Sequence, residues 1–438
     1  MRFVWLILLA AAGGLAGYLF TRFEGDAPVI DTLRAEVPIG AKDYMHSFRL
    51  SDEGAGIESV RVTLRNNGKD HELLAESYEG GLFTGAASKE PRSIDVMVNA
   101  RALGLSDGPA TLTIEVRDYS WRGNVSRVEV PAVIDTRPPR LEAWTGLTYV
   151  RRGGSEMAVY RVGEDSIHDG AQVGEHFFPG YPHPADPNRR IVTYAIPPFS
   201  PADIAVHLVA EDRAGNRSSV PLTTRLLEQT FAEDQIQLSE RFMQNKVIEL
   251  GVDQPGTVLE AYLSINRDMR QDNARTIAEL CQKTSPDRLW SGAFIQMPNS
   301  HVGARFAERR SYLLDGRVVD HQVHEGYDMA SLARAAVPAA NDGVVVFAGP
   351  LGIYGGTVIL DHGLGLFSLY GHLSEVGVEV GTAVRKGDTI GRTGTTGLAG
   401  GDHLHFGMLV SGMFVDPIEW FDGRWIEEHL EPKFSLAE

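Results

Sequence analysis

Two histidines one residue apart, His403 and His405 in Gly401-Asp402-His403-Leu404-His405-Phe406-Gly407, carry the richest chemistry in this chain. About eighty residues upstream stands His324-Glu325-Gly326-Tyr327-Asp328, and between them lies Leu369-Tyr370-Gly371-His372-Leu373. Imidazoles and a carboxylate drawn from three short motifs of one C-terminal stretch are the donor set of a catalytic zinc site. Such a site holds the metal with three protein ligands and leaves a fourth position to water. Neutral imidazole and ionised carboxylate both suit Zn²⁺.

Spacing says what must position these groups. Gly407-Met408-Leu409-Val410 and Thr389-Ile390-Gly391 predict short strands broken by glycine-rich turns. On a strand, residues i and i+2 share a face roughly 6.5 to 7 Å apart. His403 and His405 therefore face one cavity, one able to bind a metal and the other to reach its water. Which of the two touches the metal stays open on spacing alone. His324 and Asp328, four apart, return to one side of either a strand or a helix, with Gly326 suggesting a turn. The helical His-Glu-x-x-His pattern of zinc proteases does not apply to His324-Glu325, because Asp328 stands where its second histidine must be. His321 offers a His-x-x-His with His324, and His362 in Asp361-His362-Gly363 is expected to be a loop residue.

From about Met297 to Asp422 the stretch resembles the peptidase domain of the lysostaphin/LytM-type zinc metallopeptidases, which cleave peptide cross-links in peptidoglycan. The resemblance rests on His324-x-Gly326-x-Asp328, Ala339 to Phe347, Gly355 to Gly363 and Tyr370-Gly371-His372-Leu373. It continues through Val380 to Gly391, Gly394-Thr395-Thr396-Gly397 and the final His-x-His. Carried over position by position, it implies His324, Asp328 and His405 as Zn²⁺ ligands. It leaves His372 and His403 as catalytic histidines that do not bind the metal. An imidazole with an ordinary pKa of about 6.5 suits proton transfer near neutrality; His403 is expected as general base and His372 in support. Two positions depart from the family pattern: Gly407 stands where glutamate is common, and Asp402 where proline is common. The Val-x-x-Gly repeats also resemble lipoyl carrier barrels, but Lys386 lies in an Arg-Lys-Gly-Asp turn without the Met-Lys tip a carrier needs.

The remaining chain supplies context. Phe3 to Phe20 is an uncharged run of about 18 residues after Arg2, or roughly 27 Å as a helix. It predicts a single-pass inner-membrane anchor with the bulk of the chain in the periplasm. The rival is a signal peptide cleaved near Ala10-Ala11-Ala12, which leaves only Phe3 to Leu9 as its apolar core. With 438 residues, 43% of them hydrophobic and 23% charged, the chain has room for several folded domains. A single cysteine, Cys281, excludes an intrachain disulfide and sits in an apolar helical pattern. The formal net charge of −17 argues against nucleic acid as a partner.

An internal repeat fills the region after the apolar run. Thr113 to Asp118 followed by Gly123-Asn124 parallels Val206 to Asp212 followed by Gly215-Asn216, the Gly-Asn pairs standing about 92 residues apart. That separation approaches the size of one immunoglobulin-like sandwich. Each copy alternates as a strand does around a Gly-Asn turn, so the Asn-x-Ser triplets are expected as turns. From about Phe231 to Trp290 the period lengthens to that of a helix. Ile236, Phe242 and Met243 are assigned to one segment, Leu259, Tyr262, Leu263 and Ile265 to a second, and Ile277 and Leu280 to a third, with Pro255-Gly256 separating the first two.

The expected architecture is multidomain and mainly β. It has an N-terminal membrane anchor (1–24), two immunoglobulin-like β-sandwich modules (27–136 and 138–227) and a short helical linker module (228–292). A C-terminal all-β LytM-type peptidase domain (293–425) and a tail (426–438) follow. The expected function is a zinc metalloendopeptidase hydrolysing peptidoglycan cross-links for cell-wall remodelling. The alternative is a non-catalytic LytM-type scaffold that activates a wall amidase. Intact His324, Asp328, His372, His403 and His405 favour the enzyme.

Overall fold

The structure is a computed structural model describing residues 2–32, 34–253 and 256–435. Pro255, assigned above to a helix break, lies outside the described residues. The chain divides into two compact units, residues 1–139 with 211–217, and residues 140–210 with 218–438. Both are mainly β.

In the first unit, Arg2–Arg22 is helical. The predicted single-pass inner-membrane anchor is overturned: among the described residues no helix is long and apolar enough to cross a membrane. The C-terminal end of this helix is instead tied to protein. Tyr18 Oη donates to the Phe83 carbonyl (2.8 Å), and Arg22 donates to the carbonyls of Leu82 and Tyr119.

Two larger sheets enclose the core of the first unit. One has the strand order Val29–Thr32, Tyr44–Ser51, Arg92–Val98. The other runs Val37–Ile39, Val125–Ile134, Gly108–Asp118, Ile57–Asn66, Lys69–Ser77. Alternation along these strands sends Phe48, Leu50 and Val96 of the first sheet into one buried cluster with Val62, Leu64, Leu112 and Ile114 of the second. The Gly-Asn repeat has a common structural role. Asn124 donates to Asp118 Oδ2 (2.9 Å) and to the carbonyl of Asp26 (3.0 Å). Asn216 likewise donates to Asp212 Oδ2 (2.8 Å) and to the carbonyl of Asp135 (2.7 Å).

The second unit carries the motif residues on an antiparallel sheet. Its order is His301–Ala304, Tyr327–Ala330, Leu404–Val410, Leu366–Leu373, Gly356–Gly363, Gly343–Pro350, Ala383–Val384. The central strands are buried on both faces, which is why their sequences are almost uninterrupted apolar runs. Beside it, a three-stranded sheet joins Glu233–Gln237, parallel, to the hairpin Arg309–Leu314 and Arg317–Val323. Ile236, assigned above to a helix, therefore lies in a strand. Helices follow at Glu240–Glu249, capped by Ser239, and at Val258–Ser264, opened by a Thr257/Glu260 capping box. The latter runs through a π turn, Ile265–Met269, into Arg270–Leu280, so the second and third helical segments are continuous. Cys281 ends this helix as a buried residue. Residues 426–435 are mostly helical, and burial of Ile426 and Leu430 packs them onto the unit.

Candidate metal centre

Strand register brings the motifs together. Asp328 pairs directly opposite His405, and His405 pairs on its other side with Gly371. Directly opposed residues share a face with Cβ atoms about 4.5–5.5 Å apart. His324 is on neither a helix nor the same strand as Asp328; it follows the strand Arg317–Val323, and the chain turns at Gly326 before Tyr327–Ala330. Gly326 is required there, because a Cβ would come within 2.4 Å of the Phe406 carbonyl and 2.9 Å of the His405 ring.

Three donor atoms converge. His324 Nε2 lies 2.9 Å from Asp328 Oδ1 and 3.1 Å from His405 Nδ1, and His405 Nδ1 lies 3.0 Å from the same Oδ1. These residues satisfy the mutual distances of a metal-holding group. The His324 Nδ1–H donates to the Arg305 carbonyl (2.9 Å). In neutral His324, Nε2 then presents a lone pair to a carboxylate oxygen, an arrangement that is repulsive unless a cation or a further proton sits between them. The N, N, O donor set suits zinc.

Protonation behaviour agrees. Burial pushes the His405 imidazole down to about 4, leaving it in the neutral form that binds metals. Burial alone would raise the Asp328 carboxyl, but the charge of His324 and hydrogen bonds from His324, His403 and His405 outweigh it and hold Asp328 well below the usual range.

His403 and His372 stand beside this point. The His403 Nδ1–H donates to the Gly401 carbonyl (2.8 Å), leaving Nε2 3.4 Å from Asp328 Oδ1. Burial lowers the basicity of His403, yet its hydrogen bond and charge interaction with Asp328 prevail and raise it above the ordinary value. His372 donates from Nδ1 to the Thr396 carbonyl (2.8 Å), and its ring centroid is 4.8 Å from that of His403. Burial first, then the neighbouring His403 and His405, depress its pKa well below the ordinary value. Since Gly371 shares the His405 face, regular pleating would point His372 away. A φ of +62° at His372 breaks that alternation and turns the ring into the site. A non-glycine residue in that region costs on the order of 1–3 kcal/mol, sustained by its surroundings.

A cavity of about 430 Å³ opens over the centre, walled on one side by Phe242, Tyr262 and Arg270 of the helices. The helix Glu240–Glu249 is pinned to the sheet loops by Lys246 Nζ donating to the Thr395 carbonyl (2.9 Å) and by the Gly397 N–H donating to Glu249 Oε1 (2.9 Å).

Residues that the sequence reading did not single out complete the arrangement. Arg310 Nη2 donates to Asp328 Oδ2 (3.0 Å), while its Nε donates to Glu308 Oε1 (2.9 Å). Asp328 therefore offers Oδ1 to the centre and Oδ2 to Arg310. No sequence motif marks Arg310, which reaches the site across the neighbouring hairpin. Tyr354 Oη donates to Glu325 Oε2 (3.0 Å) at the cavity wall.

The two departures have local causes. A Cβ at position 407 would sit 2.6 Å from the Phe414 ring, so any larger residue there requires that ring to move. Asp402 accepts from Thr393 Oγ1 (2.6 Å) and from the Arg334 N–H (3.2 Å), fixing the loop before His403. His362 is not in a loop; it ends a strand, fully buried, bonded to the Asp342 carbonyl and to Ser368 Oγ and away from the centre. His321 is a hairpin residue contacting Ser311 Oγ (3.2 Å) and takes no part.

Residues 322–417 match the description Peptidase family M23. The C-terminal domain of this chain is thus a Peptidase family M23 domain of the LytM type. Over 97 residues the chain is 39% identical to DD-carboxypeptidase/endopeptidase Mpg of Neisseria meningitidis serogroup B, covering 22% of each chain. Over 208 residues it is 28% identical to Peptidoglycan DD-endopeptidase ShyA of Vibrio cholerae serotype O1, covering 47% of this chain and 43% of that one. Among solved structures, it is 27% identical to the catalytic domain of the antimicrobial peptidase lysostaphin from Staphylococcus simulans. That likeness covers 30% of this chain and 98% of lysostaphin's domain, with a TM-score of 0.26. The chain spans less than half the length of these curated relatives.

Proposed function

We propose that this protein is a zinc metalloendopeptidase that hydrolyses peptide cross-links of bacterial peptidoglycan in cell-wall remodelling. The observation that carries the reading is the convergence of His324 Nε2, Asp328 Oδ1 and His405 Nδ1 within 2.9–3.1 Å of one another. The peptidoglycan substrate is supported by relatives named as peptidoglycan DD-endopeptidases. His324, Asp328 and His405 would hold zinc, which when bound supplies Lewis acidity towards water and the scissile carbonyl.

The protein's own groups do the rest. His403 has its Nδ1 proton committed to Gly401, so Nε2, 3.4 Å from Asp328 Oδ1 and facing the centre, is the nitrogen that takes the proton of the attacking water. His372, its Nδ1 proton likewise committed to Thr396, keeps Nε2 as an acceptor and supports His403, whose protonated ring then returns the proton to the departing amine. Arg310 acts through Asp328: by holding Oδ2 it keeps the carboxylate turned so that Oδ1 faces the two imidazoles. The two β-rich regions ahead of the helices are read as immunoglobulin-like spacers; in the first unit, two sheets around one apolar cluster support this.

The test uses the full chain. Purified protein is expected to contain one Zn²⁺ and to release soluble muropeptides from cross-linked sacculi, and His405→Ala is expected to lose both. Hydrolysis that persists in His405→Ala, or under a strong chelator, would overturn the mechanism.

A further inference from the structure

Far from the histidines in sequence, the first unit gathers three carboxylates. Glu24 follows the N-terminal helix, Asp52 opens the Asp52-Glu53-Gly54-Ala55-Gly56 turn, and Asp118 ends the strand Gly108–Asp118. One oxygen from each lies within 4.8 Å of the others. Asp52 is 7% exposed and Asp118 1%.

Asp118 is committed at both oxygens, Oδ1 to Ser120 and Oδ2 to Asn124. Glu24 Oε1 accepts from the Ala55 N–H, and Asp52 Oδ1 accepts from the Gly54 N–H (2.8 Å). Asp52 Oδ2 is buried and has no hydrogen-bond partner among the described residues. None of the three carboxylates forms an ion pair among those residues. The neighbouring cations are engaged elsewhere: Lys89 Nζ donates to the Gly54 carbonyl, and Arg22 donates to the carbonyls of Leu82 and Tyr119. The fit is close, since a Cβ on Gly54 would lie 1.4 Å from Glu24 Oε2.

A buried, unpartnered carboxylate oxygen beside two further carboxylates is costly unless it is protonated or meets a cation. Burial, then the nearby acidic groups, raise the pKa values of both Glu24 and Asp52. The donors are all oxygen, with no imidazole or thiolate, so the set selects a hard cation. Calcium tolerates irregular ligand sets, whereas Mg²⁺ demands near-ideal octahedra, and these ligands come from three separate segments.

We propose that Glu24, Asp52 and Asp118 form a Ca²⁺ site that fastens the segment leaving the N-terminal helix to the loop ends of the first unit. The site is independent of the histidine centre and of the peptidase reading. The experiment uses the full chain, zinc-loaded and freed of calcium, titrated calorimetrically with CaCl₂ and melted with and without Ca²⁺. One Ca²⁺ is expected to bind with a Kd on the order of 10⁻⁴ M and to raise the Tm of the first unit by a few degrees. Asp52→Asn is expected to weaken binding at least tenfold and abolish the rise, while melting no lower than the parent without calcium. Glu24→Gln, at the more exposed edge, gives a second reading should Asp52→Asn fail to fold. Absence of binding up to ~10 mM Ca²⁺, or an unchanged calcium response in these variants, would overturn the site.

Discussion

The histidine centre of the C-terminal domain and the carboxylate cluster of the first unit each bury ionisable groups against one another, with different atoms and different support. At the histidine centre two imidazole nitrogens and one carboxylate oxygen converge, and outer partners hold most of the groups: Arg305, Gly401 and Thr396 carbonyls take Nδ1 protons and Arg310 donates to Asp328 Oδ2, while His405 Nε2 is buried without a partner among the described residues. At the cluster only oxygen is offered, and one carboxylate oxygen of Asp52 is left without a partner. Donor type selects the ion and the outer hydrogen bonds set the aim. A nitrogen-rich site braced at most of its groups suits zinc and reactivity, whereas an all-oxygen site on loops suits a structural hard cation.

The largest expected effect tests the braced site directly. His405→Ala is expected to abolish zinc binding and hydrolysis together, measured by metal analysis and muropeptide release. Next, His403→Gln separates ligand from base: zinc content should stay at the parent level while hydrolysis falls by roughly 10²–10⁴-fold. Loss of zinc in that variant would make His403 a ligand and break the assignment.

Arg310→Gln probes the brace alone. Zinc affinity, read by competition with a chromophoric chelator, is expected to drop about 10–100-fold, the range typical of lost outer-shell partners. An unchanged affinity would reduce Arg310 to packing. Asp52→Asn sharpens the contrast between the regions: neither zinc content nor muropeptide release should move, because the cluster shares no residue with the histidine centre.

The smallest effect concerns a histidine with no free face. His362 is fully buried, with Nδ1 bonded to the Asp342 carbonyl and Nε2 to Ser368 Oγ, and burial pushes its pKa down to about 4. Between about pH 4 and 6.5 the unfolded chain takes up a proton that the folded chain refuses. His362 therefore contributes stability that is present above about 6.5 and is lost as pH falls through about 4. Thermal melts across that window should show a falling Tm, and His362→Gln should flatten the dependence. A slope unchanged in the variant would assign the pH dependence to other groups.

Much of the site was legible because its chemistry is written in short motifs. Period-2 spacing put His403 and His405 on one side, and the family resemblance divided the histidines into ligands and non-ligands. Arg310 was invisible because its contact with Asp328 crosses between two hairpins, and nothing local to Arg309-Arg310 signals it. Ile236 was misassigned for a related reason: a short apolar element beside a helix has no periodicity of its own, and its parallel pairing with Arg309–Leu314 made it a strand. The membrane anchor was overturned: among the described residues no helix is long and apolar enough to cross a membrane, and an uncharged run defines an apolar segment without fixing whether it spans a bilayer.

The sequence by itself determined the donor types, their order along the chain and the exclusion of disulfide chemistry by a lone Cys281. Tertiary structure decided which atoms meet. Placing Asp328 opposite His405 is a matter of cross-strand register between segments about eighty residues apart. The choice of Nε2 in His324 and Nδ1 in His405 follows from which carbonyl or carboxylate each ring faces. The entry of His372 into the site depends on one left-handed residue that interrupts the pleat. Residue identity fixes what a group can donate or accept, but its direction is set by the backbone packed around it.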